Sequence, residues 1–361
     1  MPQLVTYGII GCGMMGQEHL RNIALLPDAR VGAIFEPDPT MRAAAQAIAP
    51  NALMVGGIGE LLAVPALDCV LIASPNDLHV QQIQEVAARR ALPLMVEKPV
   101  FTDPKDAARV RSLAYPAPLW VAMEYRYMPP IRALIDSVDA ATGGPLMLTI
   151  REHRFPFLPK VGDWNRFSAR SGGTLVEKCC HFFDLMRLLL RAEPVRVMAS
   201  AGQAVNHKDE RIDGRVPDVW DHGYVIVDFD TGARAMLELC MFAEGSRYQE
   251  DISVIGPRGR IEAFVPGPTR FWPGHLGAPP VPRVVVSPRA PKGPQDVAVL
   301  VDPVLLDAGD HNGSTYYQHE RFVRVVRGEG RIEVGLLDGI RAVEMGQAAQ
   351  RSAETGQAVT L

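Results

Sequence analysis

A short apolar strand, Leu4–Ile10, runs straight into Gly11-Cys12-Gly13-Met14-Met15-Gly16 and then into a helical segment reaching Leu26. G-x-G-x-x-G alone is a weak signal, because glycine-rich turns are common. Its setting makes it specific: strand before, helix after, and a second strand, Arg30–Phe35, ending on Glu36, 20 residues past Gly16. Gly11 permits the tight turn, Gly13 lets a pyrophosphate approach the backbone, and Gly16 lets the helix lie close against the strand. The first helical residues, Met14 and Met15, then present their end of the helix to the diphosphate charge. Glu36 is placed to accept hydrogen bonds from the adenosine ribose. Its charge repels a 2′-phosphate, so NAD is favoured over NADP.

The alternation continues. Helix-like Thr40–Ile48 precedes a short strand near Met54–Val55 and a helical turn at Glu60–Ala63. Strand Asp68–Ala73 ends at Ser74-Pro75-Asn76-Asp77-Leu78-His79, and strand Leu94–Val96 ends at Glu97-Lys98-Pro99. Helix Pro104–Leu113 leads to strand Leu119–Met123. Apolar strands alternating with helices indicate a parallel, doubly wound sheet, which binds ligands outside the carboxyl ends of its strands. Ser74, Asn76, His79, Glu97 and Lys98 fall there and join the glycine loop as candidate cofactor contacts. A lysine fixed between a buried strand and a proline is unusual, since most lysines lie on solvated surfaces, and Lys98 is therefore a functional candidate.

At 361 residues the chain is too long for one ordinary core. Two domains are expected, 1–123 for the dinucleotide and 124–361 for substrate and self-association. A net charge of -4 argues against a nucleic-acid footprint. No apolar run reaches the roughly 18 residues of a membrane span. The first residues lack a basic segment followed by an apolar signal core. Five cysteines, with no C-x-x-C spacing, fit reduced thiols. A cytoplasmic protein is expected.

A second stretch, 172–191, opens with two glycines, contains no proline, and reads as one helix. Glu177, His181 and Asp184 stand at i, i+4 and i+7, a polar stripe on an otherwise apolar helix. Buried ionisable groups are costly unless paired, so the stripe should face a cleft or a partner. At i, i+4 the Glu177 carboxylate can meet the His181 ring and orient it. Cys180 lies near the same face, but no complementary ligand pair is evident elsewhere, and no metal is expected.

The later chain is strand-rich: Leu146–Ile150, Val195–Ser200, Tyr224–Phe229, Arg234–Met241, Ile252–Ile255 and Arg260–Phe264, with turns at Asp230-Thr231-Gly232 and Pro257-Arg258-Gly259. His153, Trp164 and Asn165 flank a loop placed to wall a substrate pocket. Residues 266–294 hold nine prolines and read as an irregular surface excursion. Asp310-His311-Asn312-Gly313 reads as a helix cap.

These motifs together resemble the Gfo/Idh/MocA family of dehydrogenases. The resemblance rests on Gly11–Gly16, Ser74-Pro75-Asn76 with His79, Glu97-Lys98-Pro99, Tyr125-Arg126-Tyr127, Gly172-Gly173…Glu177…His181…Asp184, Ile255-Gly256…Gly259 and Arg351–Gly356. It implies an α/β fold: an amino-terminal Rossmann doubly wound parallel sheet, then an α+β domain with an open-faced, mostly antiparallel sheet, through which copies form a homodimer or homotetramer. It implies oxidation of a secondary hydroxyl of a sugar, inositol or related polyol, with Lys98 and His181 catalytic, Glu177 beside them, and Arg126, His153, Trp164 and Asn165 touching substrate. Glu177 departs from the family's usual aspartate, and Lys178-Cys179-Cys180 from its usual small residues. Related members use NAD for glycoside cleavage or lyase chemistry, or act as non-catalytic regulators, and these are the alternatives.

Overall fold

The computed structural model describes residues 4–361. Its first sheet is six-stranded and parallel, in the order β3-β2-β1-β4-β5-β6. The strands are β1 (Val5–Ile10), β2 (Ala29–Phe35), β3 (Leu53–Val55), β4 (Cys69–Ile72), β5 (Leu94–Val96) and β6 (Leu119–Val121). β1, β4 and β5 are buried at every position, because crossover helices cover both faces of a parallel sheet. The order reverses between β1 and β4, which opens a crevice at their carboxyl ends. Helix Met14–Leu25 packs close to β1: a Cβ at Gly16 would lie 2.4 Å from the Gly11 carbonyl oxygen.

The second sheet has nine strands: β7 (Met147–His153), β8 (Pro194–Gly202), β9 (His222–Phe229), β10 (Arg234–Cys240), β11 (Glu250–Gly256), β12 (Gly259–Val265), β13 (Arg283–Pro288), β14 (Gln295–Ala298) and β15 (Val359–Thr360). Their order is β14-β13-β12-β11-β7-β10-β9-β8-β15, antiparallel except for the β7–β10 pair. Alternate residues such as Leu148, Ile150, Val225 and Val227 are buried, and helices Pro129–Thr142 and Leu336–Thr355 cover β11–β13 and β8 on that face. The other face leaves Met147, Tyr224 and Ile226 exposed.

Two features differ from the sequence reading. Residues 283–288 of the proline-rich segment form β13, because Val284, Val285 and Val286 pair with β12 between flanking prolines. The stretch 172–191 is two helices, Thr174–Glu177 and Cys180–Leu190, interrupted at Lys178 and Cys179. The late helix Ser314–Val326 leaves the second sheet and packs on helix Met14–Leu25. Tyr7 and Trp120 meet Phe322 there, and the Val121 amide donates to Val334 O at 3.0 Å. No helix among the described residues is long and apolar enough to cross a membrane.

Candidate active site

Two cavities meet at Lys98. The first, about 1330 Å³ of empty space including its open mouth, lies at the carboxyl ends of β1, β2, β4 and β5. Gly11, Gly13, Met14, Met15, Glu36, Ser74, Asn76, Glu97 and Lys98 line it. A dinucleotide fits this crevice on three counts. Gly11 has φ +89°, and a Cβ there would strike the Ser74 amide nitrogen at 2.6 Å, so only glycine makes the turn. A Cβ at Gly13 would instead project into empty space, where a pyrophosphate can approach. The helix beginning at Met14 has neither a side-chain cap nor an acid in its first turn, so its N–H groups remain available to an anion. Glu36 is held ready at the crevice end: Oε2 accepts from Cys12 N at 2.5 Å and Oε1 from Asp38 N at 2.8 Å. A carboxylate retains lone pairs for ribose hydroxyls after those two bonds.

Two of the expected cofactor contacts stand back from the crevice. Gly16 serves the helix–strand contact described above. The ring nitrogens of His79 lie 2.8 Å from Pro99 O and 3.0 Å from Ser74 O, tying the ends of β4 and β5 together inside the core. Burial holds its pKa below the usual histidine value despite those carbonyls. Ser74 donates to Gln82 at 2.5 Å, and Asn76 donates to Ser171 O at 3.2 Å while still facing the crevice.

The second cavity, about 730 Å³ including its mouth, is lined by Lys98, Tyr125, Arg154, Glu177, Lys178 and His181, among others. The Lys98 Nζ donates to Glu177 O at 3.1 Å. Burial opposes its charge, but Cys180, Glu97, Glu177 and Glu124 together raise its pKa, so it stays a cation. The His181 ring stacks on Tyr125, centroids 4.1 Å apart and planes within 10°, and its Nδ1 has no hydrogen-bond partner. Burial, then the cations Lys98, Lys178, His311 and Arg154, hold His181 well below the usual histidine pKa. The imidazole is therefore neutral near pH 7.

The expected Glu177–His181 hydrogen bond is absent among the described residues. The break at Lys178 turns the carboxylate toward Lys160, which donates to Oε1 at 3.0 Å, while Oε2 has no partner. Asp184 also leaves the stripe. It accepts both prongs of Arg126, which donates in addition to Glu333 O at 2.9 Å. Arg126 is thus part of a buried ion pair and not of the cavity wall. His153 points to the other face of β7, where it meets Glu238 at 2.8 Å; its neighbour Glu152 takes the inward position, as strand alternation requires. Asn165 is buried, donating to Leu158 O at 3.0 Å. Trp164 reaches the dinucleotide crevice, with Lys160 over its ring at 4.4 Å. Of the four expected substrate contacts, Arg126, His153 and Asn165 lie outside both cavities.

Lys160 lines both cavities and had no signal in the sequence beyond its place in the loop. His311, read as a cap residue, reaches the second cavity and contacts Glu18 at 2.8 Å and Glu124 at 3.6 Å. Burial disfavours its charge, yet Glu124 and Glu18 push its pKa up to about 9. The same pairing brings Glu18 down to about 2 against the opposing effect of burial.

Residues 5–125 match the family model described as the oxidoreductase family's NAD-binding Rossmann fold, and residues 141–361 match that family's C-terminal alpha/beta domain. An inositol 2-dehydrogenase of Rhizobium meliloti (strain 1021) is 30% identical over 267 residues, covering 72% of this chain and 75% of its own. One from Cereibacter sphaeroides is 27% identical across 98% of this chain and 90% of its own. The fold recurs in a myo-inositol dehydrogenase from Corynebacterium glutamicum (TM-score 0.76, 21% identity, 99% of both chains). It recurs also in a levoglucosan dehydrogenase in complex with NADH and levoglucosan (TM-score 0.78, 19% identity, 99% of both chains). With both halves matched and the crevice shaped for a dinucleotide, the chain belongs to the Gfo/Idh/MocA family of NAD-binding oxidoreductases.

Proposed function

We propose that the protein oxidises a secondary hydroxyl of a sugar, inositol or related polyol, with Lys98 and His181 at the reacting oxygen. One observation carries the reading: Lys98 lines both the dinucleotide crevice and the cavity holding His181, so a hydroxyl beside both side chains also lies beside the cofactor. The names of the inositol dehydrogenase relatives support the substrate class. NAD, when bound, supplies the hydride acceptor.

The rest falls to the chain's own groups. His181, neutral in its cationic surroundings, takes the hydroxyl proton. Lys98 hydrogen-bonds the same oxygen and stabilises the charge that develops on it. Its bond to Glu177 O fixes the ammonium before substrate arrives. The Tyr125 stack sets the imidazole plane, and Lys178 donates to the Tyr125 hydroxyl, which holds the tyrosine in turn. Glu177 offers its free Oε2 to a neighbouring substrate hydroxyl.

The test is steady-state NAD reduction with a panel of inositols, aldoses and anhydrosugars. Lys98→Ala and His181→Ala should each lower turnover by roughly 10²–10⁴-fold. Unchanged turnover in His181→Ala removes the histidine from the reaction.

A further inference from the structure

Cationic groups outnumber anionic ones around the second cavity: Lys98, Arg154, Lys160, Lys178 and His311 against Glu18, Glu177 and Asp310. Most of the anions are already engaged. Glu18 accepts from His311, Thr315 and the Asp310 amide at 2.8–3.2 Å. Asp310 takes both prongs of Arg270 at 2.6 and 2.7 Å, and Glu177 gives Oε1 to Lys160. Such a wall has few acceptors for neutral hydroxyls and a surplus of donors.

The surplus centres on Arg154. Lys160, Lys178 and His311 each have a carboxylate within 3.0 Å. The nearest carboxylate to Arg154 is Glu152, at 3.7 Å from Nη1 and already 2.7 Å from Lys178. Among the described residues the Arg154 side chain makes one hydrogen bond, from Nε to Phe155 O at 3.2 Å. Its guanidinium lies over the Phe155 ring at 4.4 Å, which fixes its plane, and its side chain is only 13% exposed. A nearly buried guanidinium with open donors on a cavity wall is costly until an anion completes it. Its planar fork matches a carboxylate two-pronged.

We propose that the substrate is a polyhydroxy acid whose carboxylate is taken by Arg154 while a secondary hydroxyl lies at Lys98 and His181. This rests on the dehydrogenase reading above. In the reaction the substrate loses one C–H and one O–H bond and gains a carbon–oxygen double bond. The hydride passes to NAD and the proton to His181, leaving a keto acid. The cations that depress His181 are the same ones lining this wall. A bound carboxylate offsets their field, so the imidazolium formed during proton abstraction costs less with an acid substrate than with a neutral one.

The experiment compares aldonates and uronates with their parent aldoses and with inositols, measuring NAD reduction. An acid should exceed its neutral parent in kcat/KM by roughly 10–100-fold, the worth of a charge-assisted pair. Arg154→Met should bring that ratio toward one, and Arg154→Lys, which keeps charge but not the fork, should fall between. Calorimetric titration of D-gluconate into the wild-type NADH complex reads carboxylate binding without turnover and without a variant. Neutral parents oxidised as well as the acids, or a preference for D-glucose 6-phosphate over D-glucuronate, overturns the proposal while leaving the dehydrogenase reading intact. If no compound reduces NAD, the dehydrogenase reading fails. The titration then decides the site: gluconate binding that Arg154→Met abolishes supports it, and no binding overturns it.

Discussion

Replacing Arg126 by Met should damage folding far more than substrate binding. Arg126 grips Asp184 with two prongs, and both side chains are at most 9% exposed. Burial already pushes the Asp184 carboxyl pKa up despite the guanidinium beside it. Methionine fills most of the arginine's volume but leaves a buried carboxylate without its partner, a loss of about 3–5 kcal/mol. Unfolding entropy is about 2.1 cal/mol/K per residue, so over 361 residues that loss lowers Tm by roughly 4–7 °C. The deficit should shrink in acid, where Asp184 takes a proton and no charge is stranded. In the double variant Arg126→Met, Asp184→Leu, part of the stability should return, because no charge is then left to bury. Differential scanning calorimetry at several pH values reads all three effects, with KM measured below the transition. A Tm within a degree of wild type, together with a raised KM, would show that the pair does not hold the fold and return Arg126 to the substrate site.

Other outcomes follow from the same geometry. Activity should keep its neutral-base form well below pH 6.5, because burial and neighbouring cations depress His181; an acid limb of kcat/KM at or above 6.5 contradicts this. Glu177→Gln should raise KM with turnover nearly unchanged if Oε2 holds a substrate hydroxyl; lowered turnover with a shifted pH profile would restore the orienting role. Glu36→Gln should narrow the preference for NAD over NADP in calorimetric titration, and a wild type that binds NADP as tightly as NAD defeats the assignment. The His311–Glu18 pair has a raised histidine and a depressed glutamate. Its contribution is therefore whole between about pH 4.5 and 6.5, fades as pH rises through about 9, and fades as pH falls toward about 2. The Tm difference between wild type and His311→Gln should follow that window, and a difference independent of pH contradicts it.

The first sheet was legible because a doubly wound sheet writes itself in the chain: buried strands, helices between, and glycines where no Cβ fits. The second sheet was legible in its strands but not in their order. The parallel β7–β10 pair joins residues far apart in sequence, and no local pattern encodes it. Lys98 and His181 stood out because each is an ionisable group in an apolar setting. The substrate wall was harder. His153 and Glu152 are adjacent, and one step of strand register decides which faces the cavity. Arg126 reads as a substrate contact and Asp184 as part of a polar stripe, and only the fold shows that they pair with one another. The i, i+4 spacing brings Glu177 to His181 only in an unbroken helix; the chain is interrupted at Lys178 and Cys179, and the Glu177 carboxylate meets Lys160. Lys178 itself is buried against Glu152 and Tyr125, partners 26 and 53 positions earlier in the chain.

Hydride transfer from the hydroxyl-bearing carbon to the nicotinamide can be followed by isotope labelling. The alcohol substrate is prepared with deuterium on that carbon, incubated with NAD and the wild-type protein, and the nicotinamide is examined by mass spectrometry. Deuterium should appear in the reduced nicotinamide in step with product, and both should fall together by roughly 10²–10⁴-fold in His181→Ala. Product that forms without deuterium on the nicotinamide, or transfer undiminished in both Lys98→Ala and His181→Ala, would contradict this mechanism.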